Sequence, residues 1–573
     1  MNTAYGVTAI AVVVVLSTVI GAFGLRISRT TSDFYVASRA VSPLWNASAI
    51  AGEYLSAASV LGVAGLILAY GADMLWLPVG FTGGYLIMLA LVAAPLRRSG
   101  AYTLPDFAQL RLASIPLRRL ASVLVVMICW LYLMPQFQGA GLTLRTVAGA
   151  PRWVGELVVA VVVIATVAAG GMRSITFVQA FQYWLKVTAI LLPAVFLALV
   201  WRHDGSPSLT GRTAPEFRAA TSITVPVDQR IRVSQSELAR VTGTVDGVKS
   251  AGRLVRLSTG EHRVGAGTSL AFAKGSPVPV TTGLPSTTDA IWSRPMSRGD
   301  EHALYSTYSL IIATLLGTMG LPHILVRFYT NPDGRAARRT TLSVLALLGL
   351  FYLGPTLFGA LGRIYTPDLL TTGRVDSVVL EMPTRMVSGV GGQLLSALVT
   401  AGAFAAFLST AAGLTVSTAS VLSQDVFRSG RVRNFRLAAI PAALVPLGLS
   451  LGAGGMAVGT AVSLAFAVAA STFCPMLVLG VWWRRLSTIG AAAGMITGGL
   501  LAGSAVLATI LGGPYHGWAG ALLARPAAIT VPTAFAMMVV VSLLTPNHVP
   551  ALVNRIMLRL HVPESVAAFR DDR

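Results

Sequence analysis

The sequence predicts an all-α protein that crosses a membrane many times, and three observations carry that reading. Only 11% of the 573 residues are charged and 54% are hydrophobic, with a mean hydropathy of +0.71. A soluble domain carries about 25% charged residues, so a chain this long and this apolar lacks the polar surface to face water. Apolar runs of spanning length, ~20 residues, recur along the whole chain, about thirteen in all. Arginine, finally, gathers in every second short loop, as orientation in a membrane requires.

The runs are, in order, Ala4 to Leu25, Pro43 to Tyr70, Met74 to Leu96, Leu117 to Ala148, Trp153 to Ala169 and Ile175 to Trp201. After a polar stretch come Leu304 to Leu321, Thr341 to Leu361, Gly391 to Leu422, Leu437 to Gly452, Met456 to Val481, Ile489 to Leu511 and Pro526 to Leu544. The first lacks a basic leader and is followed by Arg26 and Arg29, so it reads as a retained span. One set of loops holds Arg97, Arg98, Arg118, Arg119, Arg327, Arg335, Arg338, Arg339, Arg484 and Arg485. Placing that set inside puts the N-terminus outside and the C-terminus inside. The chain therefore divides into six helices over residues 1–201, an insert over 202–302, seven helices over 303–545 and a short cytoplasmic tail over 546–573. Within the insert, Ile223, Val225, Val227, Ile231, Val233, Val241 and Val245 alternate with polar residues, a period of two that predicts short strands on the outer side.

Composition also excludes several classes of function. The net charge of +21 lies between apolar runs, so it reads as topology and headgroup contact, with no nucleic-acid partner. Cys129 and Cys474 sit inside spans without metal spacing and read as small buried hydrophobes. No HExxH, GxSxG or paired intramembrane carboxylates point to an enzyme, and no repeated filter loop points to a channel. The tail is shorter than the ~50 residues that a signalling domain needs, which argues against a sensor.

Ionisable groups inside spans are costly and mark function or buried pairing. Glu53 lies in Ala49-Ile50-Ala51-Gly52-Glu53-Tyr54-Leu55-Ser56-Ala57-Ala58-Ser59, a stretch of small and hydroxyl residues where a helix can break and bare its carbonyls to an ion. The same residue can equally pair with a neighbouring helix. Lys186, in the sixth span, reads as a buried pair or a snorkelling side chain. Ser409 and Thr410 suit a hard cation, although such hydroxyls also join membrane helices. Gly317-Thr318-Met319-Gly320-Leu321-Pro322-His323 interrupts the seventh span, and His323 titrates near neutral pH in water. Two interrupted spans five elements apart are the expected sign of a transporter built as an inverted five-plus-five repeat.

Several blocks resemble the sodium/solute symporter family, in its cation/acetate (monocarboxylate) branch. They are Tyr54-Leu55-Ser56-Ala57-Ala58-Ser59-Val60-Leu61-Gly62, Leu96-Arg97-Arg98-Ser99-Gly100-Ala101-Tyr102-Thr103-Leu104-Pro105-Asp106, Gly170-Gly171-Met172 and the run from Gly317 to Thr330. The resemblance implies a LeuT-type inverted-repeat core in a multi-pass protein of the cell membrane, with residues 1–25 as an extra helix and 43–201 as the first half. It implies symport of Na⁺, or H⁺, with a small monocarboxylate such as acetate, propionate or pyruvate. The alternatives are another small solute on the same fold, such as a sugar, amino acid or vitamin, or a transporter-like sensor. No cofactor is expected beyond Na⁺ as the coupling ion. Carried over by position, the ion's carbonyls fall on Ala47, Ile50 and Ala406, and its hydroxyls on Ser409 and Thr410. Proline-transporting relatives carry an acid where this chain has Ala49, which argues against that branch. Tyr54, Trp76, Gln136 and Glu53 are the candidate solute contacts.

Overall fold

The computed structural model describes residues 3–27, 34, 37, 41–209, 214–286, 288–296, 302–427, 431–452, 458–512, 515 and 517–563; Arg29 and Met456 lie outside them. Eleven helical stretches among these residues are long and apolar enough to cross a membrane. The first half of the bundle comprises α1 (Thr3–Ile27), α2 (Pro43–Tyr54), α3 (Val63–Tyr70), α4 (Trp76–Leu91), α5 (Ile115–Ala148) and α6 (Arg152–His203). Helix α6 is 52 residues long and folds at Gly171 (φ 56, ψ −149), so it contains both the fifth and the sixth predicted spans. Only glycine adopts that backbone conformation without strain.

After the insert, which ends in the short helix α7 (Asp289–Trp292), the second half begins with α8 (Ala303–Gly320) and α9 (Pro322–Phe328). It continues with α10 (Gly334–Tyr365), α11 (Gly389–Val421), α12 (Val432–Gly452), α13 (Val458–Trp482), α14 (Thr488–Leu511) and α15 (Ala527–Leu544). Caps follow from the sequence. Asp333 accepts from the Ala336 amide at 2.6 Å to start α10, and Ser114 accepts from Leu117 to start α5. Helix α11 lies along α5 and α6, while α8 lies between α4 and α13. Small residues make these approaches possible, since a Cβ on Gly317 or Gly320 would meet the backbone of Phe466 or Ala469.

The insert is an antiparallel seven-stranded sheet. Its strands are β1 (Thr221–Thr224), β2 (Gln229–Val233), β3 (Glu237–Val245), β4 (Val248–Leu257), β5 (Gly260–Val264), β6 (Ser269–Phe272) and β7 (Val280–Thr281). The order β1-β6-β3-β5-β2-β7 carries β4 as a further partner of β3. Asp246 (φ 51) and Gly247 (φ 80) make the two-residue turn between β3 and β4, the positive-φ pair that twisted hairpins favour. Ile223, Val225, Ile231, Val233, Val241 and Val245 point into its core, whereas Val227 is exposed. The sheet is fastened to the bundle at α7. The Trp292 indole donates to the carbonyls of Ile67 and Leu68 at 3.0 Å each, and Asp289 pairs with buried Arg363 at 3.1 Å.

One group in the sheet has a pH consequence. Glu237 opens β3 with its carboxylate buried and without a hydrogen-bond partner among the described residues, and burial pushes its pKa from 4.5 up to about 7. The folded sheet therefore holds a proton that the unfolded chain has released between those values, so its stability falls as pH rises through that window. Partial solvent access reduces the effect to roughly 1–2 kcal/mol. In amide exchange on the intact protein, corrected for intrinsic pH dependence, protection of β3 and β4 falls from pH ~5 to ~8 and the Glu237→Gln protein loses most of that slope. Equal slopes in the two proteins would contradict the assignment.

Candidate functional site

The second span is broken. Helix α2 ends at Leu55 (φ −73, ψ 85), Ser56 lies outside any helix, and a π-helical turn over Ala58–Gly62 leads into α3. Hydroxyl residues here offer the backbone alternatives to helical bonds, and the Ala57 amide takes one from outside. It donates to Gln136 Oε1 of α5 at 2.9 Å, while Gln136 Nε2 donates to Tyr132 O at 3.2 Å. The seventh span breaks in the same manner. Leu321 is extended between α8 and α9, and Pro322 supplies a first helical residue that needs no amide partner. The two breaks meet where the Tyr54 hydroxyl lies 2.7 Å from Thr318 Oγ1 and 3.2 Å from the Phe81 carbonyl, to which it donates.

Breaking α2 frees carbonyls, and α11 and α6 take them up. Thr410 Oγ1 donates to Glu53 O at 2.5 Å, and Ser409 Oγ donates to Gly52 O at 2.7 Å and to Ala406 O at 3.0 Å. Lys186 Nζ donates to Leu55 O at 2.9 Å, to Ser409 Oγ at 2.6 Å and to Gly52 O. Ala406, Ser409 and Thr410 therefore stand together against the break. Ala47 and Ile50 are buried within α2, and the carbonyls that face Ser409 and Thr410 belong to Gly52 and Glu53.

Beside this cradle lies a charge network. Arg327 of α9 donates from Nε to Glu53 Oε2 at 2.6 Å, from Nη1 to Thr176 Oγ1 at 2.7 Å and from Nη2 to Gln179 Oε1. Gln179 Nε2 in turn donates to Ser409 O at 2.7 Å. Both partners of the ion pair are buried, with side chains 0% and 1% exposed. Arg327 thus leaves the set of loop arginines to which the sequence assigned it: the short helix after Pro322 folds it inward onto a carboxylate. Glu53 is the centre of this pair, and Gly413 leaves room for it, since a Cβ there would occupy the carboxylate's place.

On the other side of the break is an aromatic cluster. The Tyr54 ring lies 5.0 Å from Tyr85, 5.9 Å from Phe81 and 6.2 Å from Phe466, with Tyr132 5.7 Å from Phe466 and 5.2 Å from His323. The Tyr85 hydroxyl and both His323 ring nitrogens are buried there without hydrogen-bond partners among the described residues. Such groups are expensive unless a ligand or water satisfies them. Tyr54 and Gln136 join this region; Trp76 opens α4, separated from the break by the whole of α3. Tyr85, Tyr132 and Arg327 are the contributors that sequence reasoning passed over. The tyrosines carry no signal within apolar runs, but the spacing from Pro322 to Arg327 falls within two helical turns and was readable.

Two interrupted helices facing each other across the bundle, with buried charge at their breaks, are the build of a secondary transporter. The sequence profile of the Sodium:solute symporter family matches residues 34–209 and 257–498, and the chain belongs to that family. It is a multi-pass membrane protein whose relatives are transporters rather than enzymes. It is 29% identical to an uncharacterized symporter of Cupriavidus necator, over 91% of this chain and 89% of that one. It is also 29% identical to a monocarboxylic acid transporter of Corynebacterium glutamicum, over 89% and 86% of the two chains. Among solved structures, the fold matches a Na⁺-coupled sialic acid symporter with a TM-score of 0.61 at 12% identity, covering 94% of this chain and 97% of that one. Mhp1, a nucleobase-cation-symport-1 family transporter, matches with a TM-score of 0.52 at 12% identity, over 92% and 98%. The architecture is that of the LeuT-type transporters.

Proposed function

We propose that this symporter takes up a small monocarboxylate, such as acetate, propionate or pyruvate, together with a cation, from an outside-facing to an inside-facing state. The observation that carries the reading is the charge balance at the broken second span. Glu53 and Arg327 cancel as a pair, and Lys186, bonded to the carbonyls of the break, adds one positive charge. The net charge of these three described groups is positive, and a net positive charge in a low-dielectric core favours an anionic solute. The Tyr85 hydroxyl and the His323 ring, unpaired among the described residues, are donors of the kind a single carboxylate accepts from, and the aromatic cluster suits a short apolar tail. Tyr54 and Gln136 hold the shape of this station, Glu53 acts through Arg327, and Trp76 remains a candidate contact further along the second and third spans. The monocarboxylic acid transporter among the relatives agrees with that choice of solute.

The contact of the α2 break with Ala406, Ser409 and Thr410 is the cation station of the proposal. Positive charge held there clamps α2 to α11, completes the solute station and permits the two halves to rock. The experiment is uptake of labelled acetate and pyruvate by purified protein in liposomes, under an imposed Na⁺ or pH gradient. Accumulation that unlabelled propionate competes away is the expected result. Accumulation of neither acid under either gradient would move the search to neutral solutes.

A further inference from the structure

Lys186 is fully buried in the second arm of α6, and its ammonium is the focus of the cation station. An ammonium offers three N–H donors and no acceptor. Here the three acceptors are Gly52 O, Leu55 O and Ser409 Oγ. The Ser409 hydroxyl spends its own proton on Gly52 O or Ala406 O, so towards Nζ it can only accept. Three acceptors around one nitrogen require the charged form. Glu53 is the charged neighbour across the break, and Arg327 already holds it.

The same oxygens would have to hold sodium. The family resemblance assigns Na⁺ to two carbonyls three residues apart on the broken helix, placed by position at Ala47 and Ile50, with the Ala406 carbonyl and the hydroxyls of Ser409 and Thr410; beside Ser409 the two carbonyls at that spacing are those of Gly52 and Leu55, and Nζ takes both. Thr410 Oγ1 is turned to Glu53 O. A sodium ion placed among these oxygens would lie within hydrogen-bond range of an ammonium, with no solvent to screen two like charges. The residues present do not fit sodium.

We infer that Lys186 is the resident cation of this station: its tethered ammonium fills the place of the coupling ion, and the protein transports its solute without sodium. The inference rests on the contact of α2 with α6 and α11 being the cation station, as proposed above. It makes Lys186 the residue that sets ion specificity. In place of an ion that enters and leaves, a covalently held charge joins the α2 break to α6 and α11.

The test has two arms. In liposomes, accumulation of labelled acetate or pyruvate follows an imposed pH gradient, and replacing external sodium with N-methylglucamine leaves its rate unchanged; a rise of about tenfold on adding sodium would overturn the inference. In detergent, radiolabelled sodium shows no saturable binding to the wild-type protein, while Lys186→Ala, which frees the cradle oxygens, gains binding and a thermal stabilisation by sodium of a few degrees. Saturable sodium binding to the wild-type protein would overturn the inference whether or not Lys186→Ala folds. Transport of neither acid would count against the proposed solute, and the sodium-binding arm would still decide the role of Lys186.

Discussion

Arg327→Met lowers the stability of the detergent-purified protein by about 3–5 kcal/mol and abolishes uptake, because it leaves the Glu53 carboxylate buried without its counter-charge. The loss exceeds that of a hydrogen bond because Arg327 also holds Thr176 and Gln179, and through Gln179 the Ser409 carbonyl. Removing the carboxylate as well relieves the penalty: Arg327→Met with Glu53→Leu recovers most of the stability but not the uptake, since nothing then orders the two breaks. Two contacting residues of one network should show this kind of non-additivity. Thermal unfolding of the two single variants and the double variant checks it, and additive losses would contradict the buried pair.

Gly52→Ala has the second large effect. A Cβ at Gly52 would run into the carbonyl of Gln179 and lie 3.2 Å from the Tyr183 Cβ. The obstacle is helix backbone and cannot swing aside, so α2 and α6 must part where Lys186 and Ser409 share the Gly52 carbonyl. Overpacking of this kind costs typically 1–3 kcal/mol, and the displaced cradle removes transport. Gly349→Ala is the control. Its Cβ would meet nothing within 4 Å, and helix propensity there favours alanine by up to about 1 kcal/mol. Equal uptake by the Gly52→Ala and Gly349→Ala proteins would contradict the close approach of α2 and α6.

Much of this was legible in the sequence. Spans announce themselves because a bilayer demands length and apolarity together, and the interruptions show because glycine, proline and clustered hydroxyls weaken a helix wherever they fall. The break in the second span lies at Leu55 and Ser56, two residues beyond the glutamate that drew attention to it. That offset matters, since it decides which carbonyls are freed: Gly52 and Glu53 face the hydroxyl pair, and Leu55 faces Lys186. Charge pairing was harder to see. Arg327 sits in sequence like any loop arginine, and Lys186 like a snorkelling lysine; only three-dimensional packing brings Arg327 to Glu53, 274 residues away, and Lys186 to the break. The aromatic cluster was illegible for a simpler reason: a tyrosine inside an apolar run looks the same whether it faces lipid, a neighbouring helix or a solute.

The central claim is that the net positive charge of Glu53, Arg327 and Lys186 at the broken second span selects a carboxylate. Competition against labelled acetate uptake in proteoliposomes tests it most directly, with propionate set against propionamide, which has the same shape and no charge. The account predicts that propionate competes at a concentration more than ~10-fold lower than propionamide. Equal competition by the acid and the amide would contradict it.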